Sequence, residues 1–209
     1  VNNGGYTCAI DTAGAVWCTG GMTNIGIGDG TSQTFNALTK STNTVLTSDV
    51  IQLASTYSGA FCALKINGSV WCWGNDGTGQ LGDWGSTART TAFNPFGLES
   101  GVTKIAASSN TFCAVKNGAA WCWGSNFSGQ MGLYGLTGNY GPIPMVAGAS
   151  GANPSVGIVS VSGSKNVTYS SNESMCLTTY QGALICTGAN GDNQNYLSQG
   201  STTSLIASR

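Results

Sequence analysis

Apolar residues in this chain fall in short runs separated by turns rich in Gly, Ser and Asn, a pattern of strands and not of long helices. The runs Val50-Ile51-Gln52-Leu53-Ala54-Ser55, Val102-Thr103-Lys104-Ile105-Ala106-Ala107 and Ile158-Val159-Ser160-Val161-Ser162 each read as one strand. Each is followed by a unit bounded by two cysteines, with a turn ending in Gly at its centre. That unit occurs four times: CAIDTAGAVWC from Cys8 to Cys18, CALKINGSVWC from Cys62 to Cys72, CAVKNGAAWC from Cys113 to Cys122, and CLTTYQGALIC from Cys176 to Cys186. The first cysteines lie 54, 51 and 63 residues apart, a period that marks a repeat architecture.

Turn chemistry fixes the register of each unit as a β-hairpin. With Asn117-Gly118 as a two-residue turn, Lys116 faces Ala119, Val115 faces Ala120, Ala114 faces Trp121 and Cys113 stands opposite Cys122. The other three copies hold one more residue between their cysteines and one more in the loop, which ends in Gly14, Gly68 or Gly182 at the position that needs a left-handed backbone. Cys8 then faces Cys18, Cys62 faces Cys72, and Cys176 faces Cys186. Alternation puts every pair at a non-hydrogen-bonded site, where Cα atoms approach to about 4.5 Å, within reach of a disulfide. Four cross-strand disulfides follow, and with them an oxidising, extracellular or cell-surface compartment.

After the second cysteine, Trp73-Gly74-Asn75-Asp76-Gly77-Thr78-Gly79-Gln80-Leu81-Gly82 is matched by Trp123-Gly124-Ser125-Asn126-Phe127-Ser128-Gly129-Gln130-Met131-Gly132. A fourth short strand is expected around Phe35 to Leu38, Phe93 to Leu98 and Pro144 to Val146. The repeats then run over about 1–49, 50–101, 102–157 and 158–203. Residues 204–209 (Ser204-Leu205-Ile206-Ala207-Ser208-Arg209) carry the pattern of a first strand, and are expected to complete the repeat begun at residue 1.

Composition narrows the chemistry. Of 209 residues, 32 are Gly, 8 are Cys and none is His, with 7 basic and 8 acidic side chains. The absence of His removes His-based triads and His-bearing zinc sites, so no enzymatic activity, metal or cofactor is expected. A net charge of −1 cannot neutralise a run of phosphates, which argues against nucleic acid. No apolar stretch is long enough to insert in a membrane, and the first residues lack the features of a signal peptide, as in a mature or excised segment.

The stretches VIQLASTYSGAFCALKINGSVWCWGNDGTGQLG and VTKIAASSNTFCAVKNGAAWCWGSNFSGQMG resemble the repeat of the regulator of chromosome condensation family, in its cysteine-containing bacterial extracellular form. The resemblance implies an all-β fold, a β-propeller of four repeats with four-stranded blades. Four repeats can close as a small ring, form an arc of a larger ring, or pass an open strand position to a neighbouring molecule. The His common in the family's first hairpin strand is absent, with Thr111, Ala60 and Tyr6 near that place. Nucleotide exchange is therefore not carried over.

Of six Trp residues, Trp71 and Trp73, like Trp121 and Trp123, share one strand face and are expected to pack between blades, whereas Trp84 and Tyr134 follow the Gly-Gln-hydrophobic-Gly motif in loops and are the expected partner-contacting residues. Asp29, Asp76, Asp83 and Asp192 lie in Gly- and Asn-rich loops without the spacing of a calcium loop. A carboxylate pair for glycoside hydrolysis could be drawn from loop acids such as Asp76, Asp83 and Glu99, but no spacing in the sequence sets their separation. Asn67, Asn126, Asn166 and Asn172 begin Asn-X-Ser/Thr patterns and are candidate glycosylation sites. The resulting expectation is a non-catalytic extracellular binding or adhesion module whose partner is a protein or glycan surface. The alternatives are a structural subunit of a filament or pilus-like appendage, which binds copies of itself, and a secreted inhibitor of an enzyme.

Overall fold

A computed structural model describes residues 1–2, 5–21, 25–133, 137–145, 157–164 and 173–188, and the backbone of 205–207. Four antiparallel sheets follow one another along the chain. The first holds β1 (Tyr6–Ile10), β2 (Val16–Gly20) and β3 (Phe35–Lys40), followed by a single 3-10 turn at Thr44–Leu46. The second holds β4 (Val50–Ser55), β5 (Ala60–Lys65), β6 (Val70–Gly74) and β7 (Arg89–Phe93). The third holds β8 (Val102–Ala107), β9 (Thr111–Lys116), β10 (Ala119–Ser125) and β11 (Asn139–Pro144), and the fourth β12 (Ile158–Gly163), β13 (Ser174–Thr179), β14 (Leu184–Gly188) and β15 (Leu205–Ala207).

Each hairpin has the register that its turn requires. Asn117 and Gly118 both take positive φ (50° and 76°), the conformation that matches the twist of a two-residue hairpin, and Cys113 pairs with Cys122. Gly14, Gly68 and Gly182 adopt φ of 78–80° at the ends of the three-residue loops. All four facing pairs are disulfide-bonded, with Cα atoms 4.0–4.1 Å apart, and none links two sheets.

The hairpin turns also join sheets. Val50 N–H donates to Gly14 O, Val102 N–H to Gly68 O, and Ile158 N–H to Gly118 O, so each turn anchors the start of the next repeat's first strand. A Cβ at Gly14 would lie 2.5 Å from Asp49 N, which is why the turn and the next strand can touch only through glycine.

Sheets stack face to face with one repeating pattern. The cysteine face of one sheet meets the opposite face of the next, aromatic in the second and third sheets and aliphatic in the fourth: Tyr6, Cys8 and Cys18 against Phe61, Ala63 and Trp73; Cys62, Leu64 and Val70 against Phe112, Ala114 and Trp123; and Cys113, Val115 and Cys122 against Met175, Leu177 and Ile185. Strands β5 and β9, covered on both faces, are buried at five successive positions, whereas β1 alternates buried and exposed. On β1 and β2 the pair Thr7 and Thr19 occupies the place of Phe61 with Trp73 and of Phe112 with Trp123. This face of the first sheet, which no described sheet covers, is thus polar where the second and third sheets are aromatic.

Two expectations need correction. Leu205–Ala207 pairs with β14 (Leu205 opposite Cys186) and forms the outer strand of the fourth sheet; it does not complete the first repeat. Spacing accounts for this: outer strands begin 17 residues after the second cysteine in the first three repeats, and Leu205 lies 19 after Cys186. Beside β1 the chain's own first residues bond instead, with Cys8 N–H donating to Val1 O at 2.9 Å and Asn2 bridged to Thr7. The outer strands of the second and third sheets also lie earlier than Phe93 to Leu98 and Pro144 to Val146, at Arg89–Phe93 and Asn139–Pro144. Proline is accepted in β11 because an outermost strand does not need every N–H for pairing.

Candidate functional site

The loop between β6 and β7 is built on the Gly-Gln-Leu-Gly motif. Gln80 is buried; its Oε1 accepts Thr78 N–H at 2.7 Å and its Nε2 donates to Ser58 Oγ at 2.8 Å. Asn75 Nδ2 donates to Ser58 O, and its Oδ1 accepts Gly77 N–H. Asp76 Oδ1 accepts Leu81 N–H at 2.8 Å. In the next repeat Gln130 Oε1 and Asn126 Oδ1 make the equivalent bonds with Ser128 N–H and Met131 N–H. The motif is therefore a self-stapled turn, and it gives the residues that follow it a rigid base.

Trp84 stands on that base. It is 61% exposed and sits at φ 62°, a backbone state that a non-Gly residue adopts only when its surroundings hold it. Asp83 supplies the hold: Oδ1 accepts Gly85 N–H at 2.8 Å, and Oδ2 accepts Arg89 Nε at 2.9 Å and Nη2 at 2.6 Å. The Arg89 guanidinium lies 4.8 Å from the centre of the Phe93 ring. One face of the indole rests on Gly141 of β11 in the neighbouring sheet, where an added Cβ would come within 2.4 Å of the ring. A large aromatic ring is thus clamped from below and open to solvent above.

Beneath the clasp, Asp76 is fully buried and its Oδ2 has no N–H or O–H donor aimed at it. Its neighbour is the Asp83 carboxyl. Burial first, then the charge of and hydrogen bond to Asp83, push Asp76 up to about 7, against the pull of Leu81 N–H and Arg89. Burial also works against the charge of Asp83, but the hydrogen bonds from Arg89 and Gly85, the Arg89 charge and the Asp76 proton hold it below the usual carboxylate range.

The other sequence candidates separate. Trp73 and Trp123 are fully buried, each stacked on a Phe ring (Phe61 and Phe112) at 5.6 Å, while Trp17, Trp71 and Trp121 are half-buried. Asp29 is tied to Thr31 and Thr42. Glu99 lies beyond the opposite end of β7 from Asp76 and Asp83, so the three carboxylates do not converge. Among the described residues no group of three or more His, Cys, Asp or Glu side chains is placed to hold a metal. Asn67 is exposed in its hairpin turn, with Oδ1 accepting Ser69 N–H, whereas Asn126 is fully buried, with no room for a glycan. Tyr134, Asn166, Asn172 and Asp192 lie outside the described residues.

Arg89 and Gly141 were not legible as site residues, since each acts through a contact that sequence spacing does not show. Glu173 likewise carries no sign of its role in the sequence. It is fully buried, and its carboxylate accepts Ser108 Oγ, Asn110 N–H, Asn110 Nδ2 and Gln130 Nε2, fastening the fourth sheet to the third.

Residues 50–80 and 102–130 match the family described as Regulator of chromosome condensation (RCC1) repeat. The fold is shared with solved structures. Human WBSCR16 superposes with a TM-score of 0.75 at 19% identity, over 98% of this chain and 51% of that one. Yeast RCC1 (Prp20), in a structure with Kap60, gives 0.69 at 21% identity over 88% and 40%. Prp20p from Saccharomyces cerevisiae, in a structure described with its binding properties to Gsp1p and histones, gives 0.69 at 19% over 96% and 48%. The chain spans about half the length of these proteins, or less. No curated protein matches it significantly by sequence.

Proposed function

We propose that this chain of RCC1 repeats is a non-catalytic binding module of an extracellular or cell-surface protein, which presents the Trp84 loop to a protein or glycan partner. Support for protein binding comes from the fold, since yeast RCC1 (Prp20) is seen bound to Kap60 and Prp20p is described with its binding properties to Gsp1p and histones. Support for the compartment comes from the four disulfides, which persist where thiols are oxidised. The observation that carries the reading is Trp84 itself: an indole 61% exposed, held at a positive φ by Asp83 and supported by Gly141. Rigid exposed Trp residues lose little entropy on binding and are enriched among the residues that dominate interfaces.

The test is a panel of immobilised extracellular proteins and glycans probed with the wild-type chain and with Trp84→Ala. Retention of a partner by wild type and a loss of at least about 30-fold in affinity in the variant, the scale of an anchor worth 2 kcal/mol, is the expected result. Equal binding by both proteins refutes the assignment of Trp84.

A further inference from the structure

The buried carboxyl beneath the clasp has a consequence for Trp84 that the binding reading alone does not contain. An oxygen acceptor sealed from water, with no donor facing it and a second carboxyl beside it, is accommodated only if one of the two acids carries a proton. Asp83 already accepts three hydrogen bonds from Arg89 and Gly85, so the proton belongs on Asp76. We propose that the loop 76–89 is a proton-operated latch: protonated Asp76 donates to the Asp83 carboxylate, and Asp83 in turn holds the Asp83-Trp84-Gly85 turn that presents Trp84.

Loss of the proton puts a second negative charge against Asp83 and draws on the same guanidinium. The groups facing Asp76 are Asp83 from its own loop and Arg89 from β7. The neighbouring β11 contributes no charge; its Tyr140 hydroxyl donates to Thr137 O. Among the described residues Arg89 is thus the single cation facing the two carboxylates. The clasp weakens, and with it the Gly85 N–H bond that fixes the turn. The next repeat supplies the control, because Asn126 stands at the position of Asp76 and makes the same backbone bond without a titratable group. A burial-driven rise to about 7 places the change near neutral pH.

The latch rests on the Trp84 reading for its purpose, but its test needs no partner. The Asp76 carboxyl carbon is followed by NMR from pH 4 to pH 9, together with solvent exchange of the Gly85 amide corrected for intrinsic base catalysis. Asp76 is expected to titrate near pH 7. Gly85 exchange is expected to rise about tenfold from pH 6 to pH 8, following the fall in the protonated fraction. In Asp76→Asn, whose amide donates permanently to Asp83, exchange stays flat across the same range. An Asp76 carboxyl that titrates below about pH 5 in the wild-type chain, or Gly85 exchange that rises equally in both proteins, overturns the latch. If the latch titrates as described while Trp84→Ala binds its partner like wild type, the latch stands and the site assignment falls.

Discussion

Trp73 and Trp123 occupy the same position in successive repeats, and replacing each with Phe separates stacking from hydrogen bonding. Both are fully buried, and both stack on a Phe ring at 5.6 Å, with interplanar angles of 12° and 16°. The difference is at the indole nitrogen. Trp123 Nε1 donates to Gln80 O at 2.9 Å across the boundary of the second and third sheets, whereas Trp73 Nε1 is buried without a partner among the described residues. Trp→Phe shortens the ring equally at both sites, so that cost is common. At 123 it also strands a buried carbonyl, which adds about 1–3 kcal/mol; at 73 it removes an already unsatisfied donor and recovers part of its desolvation cost. Trp123→Phe is therefore expected to lose at least about 1 kcal/mol more than Trp73→Phe. Guanidinium unfolding of both variants with disulfides intact measures this as a lower midpoint at unchanged slope. Equal losses, or a larger loss for Trp73→Phe, would refute the reasoning.

Two further outcomes follow from the scaffold. Cys62→Ala with Cys72→Ala opens a loop with a sequence separation of 10, for which the chain-entropy relation gives about 3 kcal/mol; calorimetry should show a lower melting temperature, and an unchanged one would count against the disulfide as a stabiliser. Asp76 rises from 3.8 in the unfolded chain to about 7 in the fold. Its contribution is therefore fully present below about pH 4, falls progressively as pH climbs to 7, and is lost above that, by at most about 4 kcal/mol. The difference in unfolding free energy between wild type and Asp76→Asn measured from pH 4 to pH 8 should follow that slope, and a difference independent of pH would contradict it.

The hairpins were legible because two independent constraints agree: turn chemistry sets the register, and the same register brings every cysteine opposite its partner. The outer strands were not. Arg89–Phe93 begins with polar residues and Asn139–Pro144 contains two prolines, so neither has the apolar alternation that marks a strand covered on a face. Leu205–Ala207 carries the apolar pattern of an inner strand, but its distance from Cys186 assigns it to an outer one, and connectivity outweighs resemblance. At the site, Trp84 could be placed in a loop from the motif before it. What holds it there, the grip of Asp83 on Gly85 and Arg89 and the bare backbone at Gly141, depends on residues five and 57 positions away and on the packing of two sheets. The exchange of Asn126 for Asp76 was visible in the aligned repeats, but its meaning required knowing that the carboxyl is buried.

Every covalent clip in this molecule is local to one hairpin, and that decides how it would respond to tension. The disulfides lock spans of 9 or 10 residues, while 44 residues separate Cys18 from Cys62, 41 separate Cys72 from Cys113, and 54 separate Cys122 from Cys176. Pulled from its ends, the chain can unspool each intervening stretch, about 150 Å of contour for 44 residues. The locked ribbons pass through as intact knots. Such a chain lengthens in discrete steps while keeping four folded seeds, each already in register for rewinding when the load is released.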